Sequence, residues 1–152
     1  MSRISLLHQA GALRAYFPQS TFKRDGEQSL IWVGKLQPSA LGGTYTVKLL
    51  YSRKDGVAVY VLDPKLVLAK GATALPHVYS TPKQQLCLYY PPGNEWNPGM
   101  WFVQSIIPWA SEWLYHYELW IATDGKWLGG GIDHNPPQDK SINQKDVVDG
   151  TT

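Results

Sequence analysis

Apolar positions recur at Leu6, Ala10, Leu13 and Phe17, which is the spacing of one helical face. Ser2 stands where a helix cap is expected, and Pro18 ends the pattern. The period then shortens. Thr21 to Lys23 adds a short strand, and Leu30 to Leu36 a longer one closed by Gln37-Pro38-Ser39. Thr44 to Tyr51 alternates and is rich in β-branched and aromatic residues. Arg53-Lys54-Asp55-Gly56 reads as a hairpin turn into a strand over Val57 to Leu62. Residues 63–95 carry Pro64, Pro76, Pro82, Pro91 and Pro92, which leave little room for long regular elements. Within that stretch the apolar Leu86, Leu88, Tyr89 and Tyr90 argue for order.

Helical character returns after Asn97, an N-cap candidate with Pro98 at the first helical position. Pro108 is expected to kink or divide this helix near Ile107. Its second piece, Trp109 to Ile121, sets Trp109, Trp113, Tyr117 and Trp120 at helical spacing, and Gly125 with Gly129-Gly130-Gly131 stops it. The expectation is an α+β domain over residues 1–134: an N-terminal helix, a four-stranded antiparallel meander, a long loop and C-terminal helices. Residues 135–152 are polar and read as a flexible tail.

Composition narrows the function classes. At 152 residues the chain is long enough for one domain with a real core. It is 43% apolar and 17% charged, the balance of an ordinary globular protein. Aromatic residues are in excess, and all the tryptophans except Trp32 lie between Trp96 and Trp127. A formal charge of +2 with no basic stripe argues against nucleic-acid binding. No apolar run reaches the ~18 residues of a membrane span. His8, Gln9 and Arg14 interrupt the N-terminal apolar residues, so no signal peptide is read there. A single cysteine argues against a disulfide-built secreted protein, and the expected compartment is the cytoplasm.

That cysteine, Cys87, is the chief candidate for chemistry. Flanked by Leu86 and Leu88, it could be a small buried hydrophobe. Its place in a proline-bounded loop, ahead of an expected helix N-terminus, favours a reactive thiolate. With no second cysteine, dithiol redox chemistry and a cysteine zinc site are excluded. The spacing of Glu95, Glu112 and Glu118 pairs no metal ligands, so no metal and no cofactor are expected. His77, ten residues before the thiol, could act as a base or serve a turn, and His116 and His134 could do the same for a cysteine hydrolase. The triglycine lacks the strand and Lys-Ser/Thr context of a phosphate loop. It reads better as backbone passing close to Trp127. Tryptophans at helical spacing in a nearly neutral chain read as core rather than as a stacking platform.

The order of these parts resembles the ubiquitin-conjugating enzymes. That family has a helix, a four-strand meander, a long catalytic-cysteine loop and C-terminal helices. Its His-Pro-Asn motif places a histidine ten residues before the cysteine, where this chain has His77-Val78-Tyr79. Leu86-Cys87-Leu88 resembles the family's Ile-Cys-Leu, and Trp96-Asn97-Pro98 its Trp-Ser-Pro. The likeness spans residues 2–134. Val78 and Tyr79 depart from the motif, and the usual proline-rich stretch is reduced to Asp63-Pro64. The departures, together with Leu-Cys-Leu-Tyr, Ile-Pro-Trp and Gly-Gly-Gly, are more similar to bacterial relatives found in antiphage CBASS operons beside a cGAS-like nucleotidyltransferase.

The resemblance implies an E2-like enzyme. Cys87 would carry a protein C-terminus as a thioester and pass it to a lysine amine. Candidate oxyanion donors are backbone N–H groups of the 87–97 loop, the Tyr79 hydroxyl and the Asn94 amide. Asp124 could orient the incoming lysine, or serve only as an Asp-Gly turn residue. The implied partners are the cGAS-like nucleotidyltransferase or a ubiquitin-like protein, a target lysine and a separate activating enzyme, since no ATP-binding signature is present. A catalytically inactive adaptor on the same fold is the alternative.

Overall fold

The computed structural model describes residues 2–129. His134, Gly130, Gly131 and the stretch 135–152 lie outside the described residues. Helix α1 (Leu6–Tyr16) leads into strands β1 (Thr21–Asp25), β2 (Ser29–Leu36), β3 (Tyr45–Ser52) and β4 (Gly56–Asp63). Two short strands follow, β5 (Val78–Ser80) and β6 (Gln85–Leu86). Two 3-10 turns, Pro91–Gly93 and Phe102–Gln104, precede helix α2 (Ile106–Ala122). The architecture is mixed α+β, as the sequence pattern predicts.

The meander β1 to β4 is antiparallel throughout, and the sheet grows beyond it to the order β1-β2-β3-β4-β6-β5. The sheet therefore has six strands, not four. The proline-punctuated loop folds back on itself and adds a hairpin to the β4 edge. Alternation along β2 and β3 sends Leu30, Trp32 and Leu36, and Tyr45, Val47, Leu49 and Tyr51, to the buried face. These pack with Leu6, Ala10 and Leu13 of α1 and with Ile106, Ala110, Trp113, Leu114, Tyr117 and Trp120 of α2 in one core. The tryptophans of α2 are thus core residues, Trp113 and Trp120 both being buried. Trp32 is fully buried, edge-on to Phe17, with its indole N–H donating to Ser20 Oγ at 2.8 Å. Its ring lies across Gly34, where any Cβ would stand 2.2 Å from Cζ2, so this strand position admits only glycine.

Three sequence expectations need correction. The cap of α1 is Ser5, whose Oγ accepts from His8 N at 3.1 Å, and not Ser2. Asn97 does not cap a helix. Its Oδ1 accepts from Gly99 N at 2.8 Å in a local Asx turn, and the helix begins nine residues later. Pro108 divides nothing, because it lies in the first turn of α2, where its missing N–H would have had no intrahelical partner. Among the described residues the C-terminal helices are therefore a single α-helix. It ends in a Schellman arrangement, with Gly125 N donating to Trp120 O at 2.8 Å and Asp124 N to Ile121 O at 3.3 Å.

The start of α1 is completed from outside the helix. The Glu27 carboxylate, in the β1–β2 turn, accepts from Leu6 N at 2.7 Å and Leu7 N at 3.2 Å. With Ser5 it satisfies three of the orphan donors of the first turn. The Leu6 N–H, with help from Leu7, Arg24 and Arg53, holds the Glu27 carboxyl below its usual 4.5 against a smaller opposing effect of desolvation. Because the folded value is depressed, Glu27 stabilises the fold above pH 4.5 and loses that contribution as pH falls below it. Glu27→Gln should therefore lower the thermal midpoint at pH 7 and flatten its decline below pH 4.5, as read from melts at a series of pH values.

Candidate functional site

Cys87 follows β6 directly, and His77 precedes β5. In the hairpin between them, Gln84 N donates to Thr81 O, and Ser80 Oγ accepts from Lys83 N. Gln84 takes a left-handed φ of 54°. It is buried, and its amide donates to Val61 O while its Oε1 accepts from Leu66 N, which ties the hairpin to β4 and to the loop after it. Ten residues of separation thereby become adjacency: Val78 pairs with Leu86, and Cys87 N donates to His77 O at 3.1 Å.

The His77 carbonyl is shared. Trp113 Nε1 of α2 donates to it at 3.0 Å, so one oxygen joins the cysteine backbone, the hairpin and the core helix. His77 adopts φ 49° to present that carbonyl. Its imidazole turns to Trp127, with ring centroids 5.1 Å apart. Trp127 also meets Trp113 at 5.6 Å and His116 at 5.8 Å.

The hairpin is not regular. With Val78 opposite Leu86, an even ladder would place Ser80 opposite Gln84. Instead Ser80 pairs with Gln85, and the register shifts between Val78 and Ser80. Tyr79 is the extra residue of this bulge, a device that re-aims a side chain. Its ring is half open to solvent, yet its hydroxyl hydrogen-bonds the Cys87 side chain. Burial of the hydroxyl, then the hydrogen bond and charge of Cys87, push the Tyr79 phenol well above its usual 10.0. It is therefore a proton donor at every physiological pH. Tyr89 also neighbours the sulfur: Cys87 Sγ lies 3.8 Å from Tyr89 O, and burial followed by the Cys87 charge raises the Tyr89 phenol too. Cys87 as a residue is 3% exposed.

A helix, an antiparallel sheet and a cysteine joined to a histidine turn are the parts to compare with known proteins. The family model described as Type II CBASS E2 protein matches residues 9–135. The chain belongs to that family. No curated protein matches it. Membership gives the chain an E2-like role in a bacterial antiphage system and operon partners within CBASS. Among the described residues no helix is long and apolar enough to cross a membrane.

In this CBASS E2 protein the remaining candidates hold turn, loop and helix positions. Asn94 is exposed and left-handed at φ 59°, closing the 3-10 turn through its backbone N–H to Pro91 O. Its side chain makes no hydrogen bond among the described residues. Asp124 is exposed at φ 56° and fills the left-handed position of the Schellman motif on α2. Glu95 closes the loop by accepting from Tyr90 N at 2.9 Å, and Glu118 binds Gly43 N and the Tyr45 hydroxyl, each at 2.7 Å. Cys87 is not directly ahead of a helix start, since α2 begins only at Ile106. Sequence reasoning missed the roles of Trp113 and Tyr89. The first was visible as a core position, but nothing in its spacing gave the partner of its indole N–H.

Tyr79→Phe removes the hydroxyl donor and keeps the ring. A hydrogen bond to a charged acceptor contributes about 1.5–3 kcal/mol when buried, and this half-exposed residue falls below that range, so the expected change is roughly one pH unit. The pH midpoint for iodoacetamide alkylation of Cys87 should move upward by that amount, and an unmoved midpoint would remove Tyr79 as the sulfur's donor.

Proposed function

We propose that this chain has the ubiquitin-conjugating-enzyme-like fold and acts as an E2-like acyl carrier through Cys87. The observation that carries the reading is the hairpin, which sets Cys87 beside His77 and delivers the bulged Tyr79 hydroxyl to the sulfur. Family membership supports it independently.

The chemistry has two steps. Cys87 thiolate attacks the C-terminal carbonyl carbon of an activated donor, an acyl adenylate or thioester made by a separate activating enzyme. The S–C bond forms, and the bond to the adenylate or carrier thiol breaks, that group leaving with the electron pair. A target lysine amine then attacks the same carbon. The C–N bond forms, the C–S bond breaks, Cys87 recovers its thiolate, and the amine proton passes to solvent. Each tetrahedral intermediate places charge on oxygen, and a preorganised donor there contributes several kcal/mol. Tyr79, protonated throughout, supplies a hydroxyl where the wider family has asparagine. The donor is a cGAS-like nucleotidyltransferase or a ubiquitin-like protein.

The 3% exposure of Cys87 favours one further reading, an E2-like adaptor that binds partners without chemistry. Gels with and without reductant separate the two when the protein is mixed with its operon partners and ATP. The expected result is a reductant-sensitive adduct that is lost in Cys87→Ala and becomes reductant-resistant in Cys87→Ser. An adduct that persists in Cys87→Ala sinks acyl transfer at this residue, and partner capture without any adduct supports the adaptor.

Asp124→Gly suits the left-handed backbone at that position, so it tests the side chain without disturbing the turn. Charging of Cys87 and lysine transfer should both persist, with stability unchanged or raised by under about 1 kcal/mol. Loss of transfer with charging intact would instead give Asp124 the lysine-orienting role.

A further inference from the structure

A cleft of about 250 Å³ opens between β4, the β5–β6 hairpin and the segment after Cys87. Its lining includes Val57, Val59, Leu86 and Leu88 together with Tyr79 and Tyr89. Tyr79 interacts with the Cys87 side chain, the Tyr89 carbonyl lies 3.8 Å from the sulfur, and Leu86 and Leu88 are the cysteine's chain neighbours, so the lining of the cleft adjoins the thiol. Ile106, the first residue of α2, also lines it. Its polar lining includes Asp55 and Gln85 beside the hydroxyl-bearing Tyr79 and Tyr89. Asp55 is already engaged by Ser52, whose Oγ meets both its backbone N–H and its carboxylate.

Size and chemistry limit the occupant. Sites for nucleotide-like or drug-sized molecules start at about 300 Å³, and this cleft is smaller and mainly apolar. A lysine ammonium would lose its hydration against aliphatic walls. An apolar side chain loses nothing and gains burial. A peptide joined to Cys87 through its C-terminal carbonyl must begin at the sulfur, next to residues that line the cleft. Its first residues are therefore the ones the cleft can reach.

The geometry points to a specificity subsite: the cleft receives one bulky aliphatic or aromatic side chain of the acyl donor, within one or two residues of the thioester carbonyl. It rests on the acyl-carrier reading and adds the chemical class of donor tail that Cys87 accepts.

The test uses two peptide thioesters that charge Cys87 by thiol exchange, without an activating enzyme. They differ only in the residue before a C-terminal glycine, leucine in one and aspartate in the other. Intact-mass spectrometry follows adduct formation on the full chain. The leucine peptide should charge about tenfold faster, the order of discrimination an apolar pocket achieves. In Leu88→Gln, and in the nearly isosteric Val57→Thr, the ratio of the two rates should fall towards one. A partly unfolded variant would also lose the preference, so each variant is compared only after its thermal midpoint is shown to match that of the unaltered chain. Equal rates on the unaltered chain overturn the subsite and leave the acyl-carrier reading standing. A preference that survives both variants places the selectivity elsewhere and also overturns it. Absence of any adduct with either peptide overturns the acyl-carrier reading and the subsite together.

Discussion

One carbonyl oxygen, that of His77, holds the site to the core. It accepts from Cys87 N at 3.1 Å and from Trp113 Nε1 at 3.0 Å, which occupies both of its lone pairs. The first bond closes the hairpin at the cysteine, and the second fastens that hairpin to α2. The backbone conformation required, φ 49° at a histidine, costs about 1 kcal/mol. Two buried hydrogen bonds at about 1 kcal/mol each offset it. Trp113 can donate only while its ring is fixed, and stacking on Tyr117, with centroids 5.8 Å apart and planes 9° from parallel, fixes it. The cysteine's position is thus set by an aromatic cluster on a helix far along the chain.

The same cluster explains the close of the described chain. Trp127 packs on His77, Trp113 and His116, and Gly129 then crosses the His116 ring, where a Cβ would lie 2.4 Å from the imidazole. The triglycine was expected to let backbone approach Trp127. Its first member does make such an approach, but to the histidine on the other side of that tryptophan. Aromatic packing here does two jobs: it fills the core, and it orients the turn that carries the thiol.

Strand alternation was legible because it is a local signal. Positions 30–36, 44–51 and 57–62 announced β2, β3 and β4 within a residue at either end. The helix start was not, because Asn97-Pro98 offers the same side-chain acceptor to a helix and to an isolated Asx turn, and burial of Ile106 and Ile107 decides between them. Ser2 and Ser5 are chemically equal caps. The choice of Ser5 follows from Glu27, a residue brought near only by the β1–β2 turn. At the site, the ten-residue spacing of His77 and Cys87 pointed to proximity. The bulge that aims Tyr79 at the sulfur was invisible, since it depends on a one-residue register shift in a hairpin that sequence alone left as a loop.

That bulge reconciles a buried thiol with a role in acyl transfer. A thioester needs shelter from water, because hydrolysis competes with transfer to an amine. A rigid cover would also exclude the donor. Tyr79 contributes a cover of another kind, with its ring half in solvent and its hydroxyl on the sulfur. Turning the ring outward gives up one hydrogen bond and little packing, whereas moving Leu86 or Trp113 would open the core. Asparagine, which ubiquitin-conjugating enzymes carry in the motif that His77-Val78-Tyr79 resembles, is too short to be both cover and donor. Under the proposed chemistry, the departure from the resembled motif exchanges an amide for a hydroxyl on a longer, half-exposed side chain. Exclusion of water and stabilisation of the oxyanion then fall to the same side chain.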